Sequence, residues 1–166
     1  MSYVALLRGI NLGKLNKVDM KSLKELFIKL GYTDVQTYIQ TGNVFFSNKS
    51  YNVQVLEDEL FAKYGFSIPV VIRTKEELED IAKHSILEKE HAYVMMLKEE
   101  INEEQLELLQ NTVEEEFTVI ANKNIVISYQ KSYHQSKFTN NYFEKKLGMP
   151  STARNKNTVR KLISLM

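Results

Sequence analysis

The sequence predicts an α+β protein made of two docked ferredoxin-like (βαββαβ) subdomains with antiparallel sheets and an added C-terminal helix. Three observations predict it. Apolar periodicity over the first 73 residues switches between strand and helix spacing in the order βαββαβ. The same order begins again at Ala92. The opening run Tyr3-Val4-Ala5-Leu6-Leu7-Arg8 is echoed by Tyr93-Val94-Met95-Met96-Leu97-Lys98. The expected division is residues 1–73 for the first subdomain, 74–90 for a connecting helix, and 91–166 for the second subdomain with its C-terminal helices. With no Pro/Ser-rich linker between them, the subdomains are expected to be docked rather than tethered.

Tyr3–Arg8 is mostly apolar and reads as a central strand. Gly9–Lys17 is a Gly/Asn/Lys loop, and Asp19 can cap a helix carrying Met20, Leu23, Phe27 and Leu30 at helical spacing. Gly31 stops it, since glycine tolerates positive φ. Val35, Thr37 and Ile39 alternate with Gln36, Tyr38 and Gln40 as a strand. Thr41-Gly42-Asn43 turns the chain into a second strand, Val44–Ser47. Val53, Leu56, Leu60, Phe61 and Tyr64 mark a helix ended by Gly65. Ile68–Ile72 is a strand, and Pro69, lacking an N–H, puts it at a sheet edge.

Leu78, Ile81 and Ala82 suggest the connecting helix, and Ala92–Leu97 the next strand. Asn102 with Gln105 has capping-box spacing ahead of Leu106, Leu109 and Val113. Phe117–Ala121 and Ile125–Tyr129 flank an Asn122-Lys123-Asn124 turn. Thr139–Leu147 is a short helix closed by Gly148 and Pro150, and Val159, Leu162, Ile163 and Met166 share one face of a last helix. Element by element, the second half reads βαββαα, with Ser151–Lys161 as the entry to that last helix.

The 166 residues contain 43% hydrophobic and 26% charged side chains, which excludes collagen-like, low-complexity and disordered classes. There is no cysteine, hence no disulfide, thiolate nucleophile or Cys-ligated zinc. No apolar run approaches the roughly 18 residues of a membrane span, and the N-terminus reads as a strand rather than a signal peptide. A cytoplasmic protein with no membrane partner is expected. The net charge of +1 conceals an asymmetry: +4 over residues 1–29, −3 over 30–83, −8 over 84–120 and +8 over 121–166. Two basic ends flank an acidic middle that reads as a solvated face, or as a neutralising surface within the molecule or in a dimer. The oligomeric state is left open.

The basic ends supply the candidate ligand-binding residues, and the sharper reading has them converge on one anion-binding surface. In Arg8–Lys17 a strand feeds a loop with two glycines, two asparagines and three bases, then a helix, and loop amides and helix N-termini favour anions. Arg8 can grip a phosphate or carboxylate with two donors, and Asn11, Lys14 and Lys17 accompany it. The loop is one residue short of G-x-x-x-x-G-K-[ST], has Leu15 where Ser or Thr would hold magnesium, and lacks G-x-G-x-x-G. Near the C-terminus Arg154 stands with Asn155 and Asn157, either of which can cap the last helix, beside Arg160 and Lys161. In Tyr129–Phe138 aromatics alternate with bases and amides, a composition that suits stacking bases but reads first as a surface loop with anchoring aromatics. No cofactor is implied. His84, His91 and His134 lack ligand spacing, so no metal site is expected, and no nucleophile motif names a catalytic residue. The loop after the first strand and the turn between the second and third are expected at opposite sheet ends, about 17–20 Å apart. Arg8 and Asn43 are therefore not expected to share a small ligand within one subdomain.

Tyr3–Gly13 with Asn16-Lys17-Val18, then Thr37-Tyr38-Ile39-Gln40-Thr41-Gly42-Asn43-Val44, then Thr152–Leu162, resemble in order the three signatures of a bacterial family of domains of unknown function. The last signature usually has Trp where Lys156 stands. The resemblance implies a cytosolic protein with two ferredoxin-like subdomains and no established activity. It adds weight to Arg8, Asn11, Lys17, Arg154, Asn155 and Asn157. The leading functional expectation is a binding protein for an anionic, phosphate-bearing small molecule or nucleotide. The alternatives are a nucleic-acid-binding module, since βαββαβ domains can stack bases on their sheets, and an enzyme acting on a phosphorylated substrate.

Overall fold

A computed structural model of the chain describes residues 2–166. The elements run β1 (Ser2–Leu7), α1 (Met20–Lys29), β2 (Thr33–Tyr38), β3 (Asn43–Ser47), α2 (Val53–Tyr64), β4 (Val70–Thr74) and α3 (Lys75–Ala82). They continue with β5 (Ala92–Leu97), α4 (Glu103–Thr112), β6 (Glu116–Ile120), β7 (Asn124–Ser128), α5 (Asn140–Leu147), β8 (Ser151–Asn155) and α6 (Lys156–Leu165). Short 3₁₀ turns stand at Ser85–Glu88 and Tyr133–Gln135. Two four-stranded antiparallel sheets result, in spatial orders β2-β3-β1-β4 and β6-β7-β5-β8. The chain divides into two compact units, Met1–Lys75 with Met166, and Glu76–Leu165. The α+β, twice-ferredoxin-like class is thus what the sequence predicts, with β1 and β5 inside their sheets and β4 at an edge just after Pro69.

In the first unit α1 and α2 pack on one sheet face. Leu23, Leu26 and Phe27 of α1 and Leu56 and Leu60 of α2 meet Tyr3, Ala5, Leu7, Val44, Phe46, Val70 and Ile72. Tyr3 stacks on Phe46 at 5.3 Å, and Tyr32 lies 4.7 Å from the same ring. The opposite face, with Val4, Leu6, Phe45 and Val71, is buried as well. This is why β1 is apolar from Tyr3 to Leu7 and β3 carries Val44-Phe45-Phe46 in succession instead of alternating. The predicted stops hold: Asp19 accepts from the Ser22 amide at 3.0 Å, Gly31 has φ 94°, and Gly65 caps α2 with φ 79°.

In the second unit Leu109 of α4 and Phe143 and Leu147 of α5 pack on Met95, Leu97, Ile125 and Ile127. Asn102 and Gln105 form the predicted capping box, with bonds of 2.8 and 2.9 Å. The Ser85–Glu88 turn lies against β5, β6 and β7, and α6 against β5 and β8. Their buried Ile86, Leu87, Val159 and Leu162 stand outside the α4/α5 core, so this sheet is covered on both faces from within its own unit.

Two expectations are corrected. Ser151–Asn155 is not merely a helix entry but the strand β8, so the second half reads βαββαβα. It pairs with β5 from Leu97↔Ser151 to Tyr93↔Asn155, and neighbouring strand rather than side-chain apolarity specifies it. The second correction concerns the sheet ends. Leu6 pairs with Asn43, and the Leu7 amide donates to the Gly42 carbonyl at 2.9 Å. The β1 exit and the β2–β3 turn therefore lie at the same end. A strand–helix–strand crossover returns the chain to where β1 began, so β1 and β2 run parallel and leave from one edge.

Gly42 marks this junction. Its φ is 94°, and a Cβ there would sit 2.7 Å from Ile10 Cδ1 and 3.0 Å from Leu7 Cβ. Gly42→Ala combines left-handed strain with overpacking and is expected to cost about 2–5 kcal/mol. Gly65→Ala, at φ 79° with no atom within 4 Å of its Cβ, is expected to cost only about 1 kcal/mol. Thermal melts of the two variants check the ranking.

Candidate functional site

The loop between β1 and α1 is built by its own side chains. Asn11, at φ 51°, accepts from the Val18 amide at 2.9 Å through Oδ1. Its Nδ2 donates to the Val18 carbonyl at 3.1 Å and to the Gln40 carbonyl at 2.8 Å. Asn16, at φ 53°, donates to the Gly9 carbonyl at 3.0 Å. Asn11 N–H bonds the Asn16 carbonyl, and Leu12 and Leu15 exchange both backbone bonds around Gly13-Lys14. Gly13, at φ 60°, takes the first corner of this two-residue turn, as a type II′ hairpin requires. Gly9, Asn11, Gly13 and Asn16, with Ile39 and Gly42 in the adjoining turn, concentrate six positive-φ residues in two touching segments.

Ile39 is the anomaly among them. A β-branched residue at φ 52° is strongly disfavoured, yet Ile39 sits there with its side chain 44% exposed. The alternation Val35-Thr37-Ile39 suggests a strand position. In the structure β2 ends at Tyr38, and Ile39 begins the turn closed by Gly42 N–H on the Ile39 carbonyl.

The second unit provides a direct comparison for this loop. Leu97 N–H bonds the Lys123 carbonyl as Leu7 bonds Gly42, and Lys98 N–H bonds the Pro150 carbonyl as Arg8 bonds Pro69. Asn124 Nδ2 reaches the Ile120 carbonyl as Asn43 Nδ2 reaches that of Tyr38. Yet strand and helix are joined by residues 98–102 in the second unit and by residues 8–19 in the first. The fold closes with the shorter connection, so most of Gly9–Lys17 is not needed to make it.

Of the residues predicted here, Arg8, Asn11, Lys14 and Lys17 share this one loop. Arg8 is partly buried, while Lys14 and Lys17 are exposed. Among the described residues no carboxylate lies within ion-pair distance of either lysine. Asn11 is engaged in holding the loop. The α1 N-terminus is already served by Asp19, so the cations rather than that helix end supply the field.

Arg154, Asn155 and Asn157 belong to the second unit, at the β8–α6 junction. Arg154 is buried, with Nη1 donating to Thr152 Oγ1 at 2.6 Å and to the Ala153 carbonyl at 2.9 Å. Burial lowers its pKa to about 10, which leaves it charged at neutral pH. Arg73 holds the matching position of β4, opposite Val4 as Arg154 is opposite Val94, and donates to the Ile72 carbonyl. Asn155 caps α6, accepting from the Thr158 amide at 2.8 Å, and Asn157 is exposed in the first helical turn.

The Tyr129–Phe138 segment is anchored by its aromatics. Tyr93 and Tyr133 stack at 4.5 Å, Tyr133 Oη accepts from the Asn140 amide, and Tyr129 Oη donates to the Phe138 carbonyl at 2.6 Å. A cleft of about 210 Å³ beside it is lined by Glu115, Gln130, Lys131, Ser132, Gln135 and Ser136. A groove of about 380 Å³ in the first unit is lined by Glu25, Lys29, Glu59 and Lys63 with Leu26 and Ala62, and its charges offset one another. The sheet face that base-stacking domains use offers no exposed aromatic on β1 or β3, because Tyr3 points into the α1/α2 core and Phe45 is buried. Among the described residues no group of three His, Asp or Glu is placed to hold a metal. No helix among them is long and apolar enough to cross a membrane.

Residues 1–138 match a family described as a protein of unknown function, DUF1697. No curated protein matches the chain. Its fold is similar to that of the conserved bacterial protein SP0830 from Streptococcus pneumoniae, with a TM-score of 0.73 and 24% identity over 99% of this chain and 97% of that one. At this identity the likeness establishes the fold.

Asn11→Ala removes both bonds to Val18 and the bridge to Gln40. It is expected to cost about 1–3 kcal/mol and to speed hydrogen exchange of the Val18 amide. Burial first, then Tyr133, Glu115 and Tyr93, push the Tyr129 phenol well above its ordinary value. The unfolded chain ionises this phenol near pH 10 and the native chain resists, so stability is full below about pH 10 and falls as pH rises beyond it. Tyr129→Phe should melt lower at neutral pH, by about 1–3 kcal/mol, yet lose stability less steeply in alkali. Denaturant titrations at neutral and alkaline pH check both statements.

Proposed function

This chain belongs to the DUF1697 family of proteins of unknown function, and we propose that it binds an anionic, phosphate-bearing ligand at the Arg8–Lys17 loop. The observation that carries this reading is the surplus length of that connection over its counterpart in the second unit. The surplus is stapled into one conformation by Asn11 and Asn16, and it presents Lys14 and Lys17 with no carboxylate among the described residues to neutralise them. A stapled loop loses little conformational freedom when a ligand arrives, so more of the interaction energy reaches the observed affinity. The exposed lysines act as point charges for a phosphate, and Arg8 adds positive charge at the partly buried foot of the loop. Arg154, Asn155 and Asn157 are assigned differently: a buried strand arginine, a helix cap and an exposed helix residue.

Calorimetric titration of the protein against inorganic phosphate and a panel of mono-, di- and triphosphate nucleotides tests the reading. Replacing Lys14 and Lys17 together by Ala is expected to weaken binding by about tenfold per lost cation, with the melting temperature unchanged. Identical isotherms for the variant and the parent protein would refute it.

A further inference from the structure

The surplus loop carries more than charge. Leu12 is 53% and Leu15 is 69% exposed. They face each other as the bridged pair of the hairpin, and directly opposed residues of such a pair project from the same face. Two leucines therefore stand side by side at the tip of a tight turn, with Lys14 between them in sequence and Lys17 just behind. The adjoining turn adds Ile39, exposed and held in a backbone conformation that isoleucine disfavours. On α1, the exposed Lys21 and Lys24 follow. Every residue from Leu12 to Lys17 is exposed, and the space around the Gly13 Cβ position is empty to 4 Å.

We infer that the Leu12–Leu15 hairpin tip docks on an anionic lipid surface, inserting its leucines among the acyl chains while Lys14 and Lys17 meet the headgroup phosphates. The inference rests on the reading of this loop as an anion site and names where the anion comes from. Three features favour a bilayer over other occupants. Every residue of the tip is exposed, so its two leucines and two lysines can meet one extended surface together. A few side chains at the end of one turn fall well short of the roughly 800 Å² per partner of a stable protein interface. Apolar insertion and basic attraction occur together, and reversible membrane binding needs such paired signals. The expectation of no membrane partner reflects the lack of a spanning segment, and peripheral docking needs none.

The test is co-sedimentation of the full chain with vesicles of phosphatidylcholine alone or mixed with phosphatidylglycerol. The chain has no tryptophan, so Leu15→Trp places a single reporter at the tip. Its emission is expected to shift to the blue with the mixed vesicles and not with phosphatidylcholine alone. The double variant Leu12→Ser, Leu15→Ser is expected to lose about a hundredfold in partitioning onto mixed vesicles, with an unchanged melt. Equal sedimentation of the double variant, or an unshifted reporter, would overturn insertion. Binding of inorganic phosphate or nucleotide without vesicle binding would overturn the lipid inference and leave the anion site standing, whereas failure of both would overturn both. A dimer seen by light scattering that the serine variant abolishes would assign the tip to self-association and likewise overturn docking on lipid.

Discussion

The parallel exit of β1 and β2 from one sheet end governs the first unit. Because the α1 crossover returns the chain before β2 begins, the β1–α1 loop and the β2–β3 turn emerge side by side. The Asn11 carboxamide then binds them, reaching Val18 within its own loop and Gln40 in the turn. Gly42 permits the close approach, since any side chain there would meet Leu7 and Ile10. These contacts convert what would be a long, mobile connection into a shaped surface. Its cations stand on a frame held by the Asn11 and Asn16 side-chain hydrogen bonds.

The second unit repeats the frame without the surface. Its β5 exit makes the same backbone clasp to the β6–β7 turn and to the residue ahead of the edge strand, and the paired asparagines Asn43 and Asn124 and arginines Arg73 and Arg154 hold matching places. What differs is the connection. Residues 98–102 pass directly into a capping box and include Glu99 and Glu100, whereas the longer connection of the first unit includes Lys14 and Lys17. The repeated features are those the fold requires. The unrepeated, basic, partly apolar loop is an addition that the second unit folds without.

Energetics separate the two sets of cations. Burying a guanidinium is costly unless it is hydrogen-bonded, and Arg154 is satisfied by Thr152 and the Ala153 carbonyl inside its sheet. It reads as part of the β8 framework. Lys14 and Lys17 remain in water, with no carboxylate among the described residues within ion-pair distance. Leu12 and Leu15 are exposed beside them.

Local patterns in the sequence determine most of the fold. Period-two and helical spacings, the Asp19 and Asn102 caps and the glycine stops each act over a few residues, so they are legible without tertiary context. The βαββαβ order of the first unit, the central place of β1 and the basic character of Arg8–Lys17 follow from them. The tertiary structure decided three things. Ser151–Asn155 became a strand because β5 offered an open edge; its small polar residues carry no alternation, although the shared spacing of Pro69 to Arg73 and Pro150 to Arg154 is a trace of it. Ile39 left its alternating register to enter a left-handed turn. The β2–β3 turn came to the β1–α1 loop, through a crossover direction that apolar periodicity does not encode. Spacing reports which face of an element is apolar, whereas the neighbours of a loop depend on strand direction and pairing, which exist only once distant segments have met.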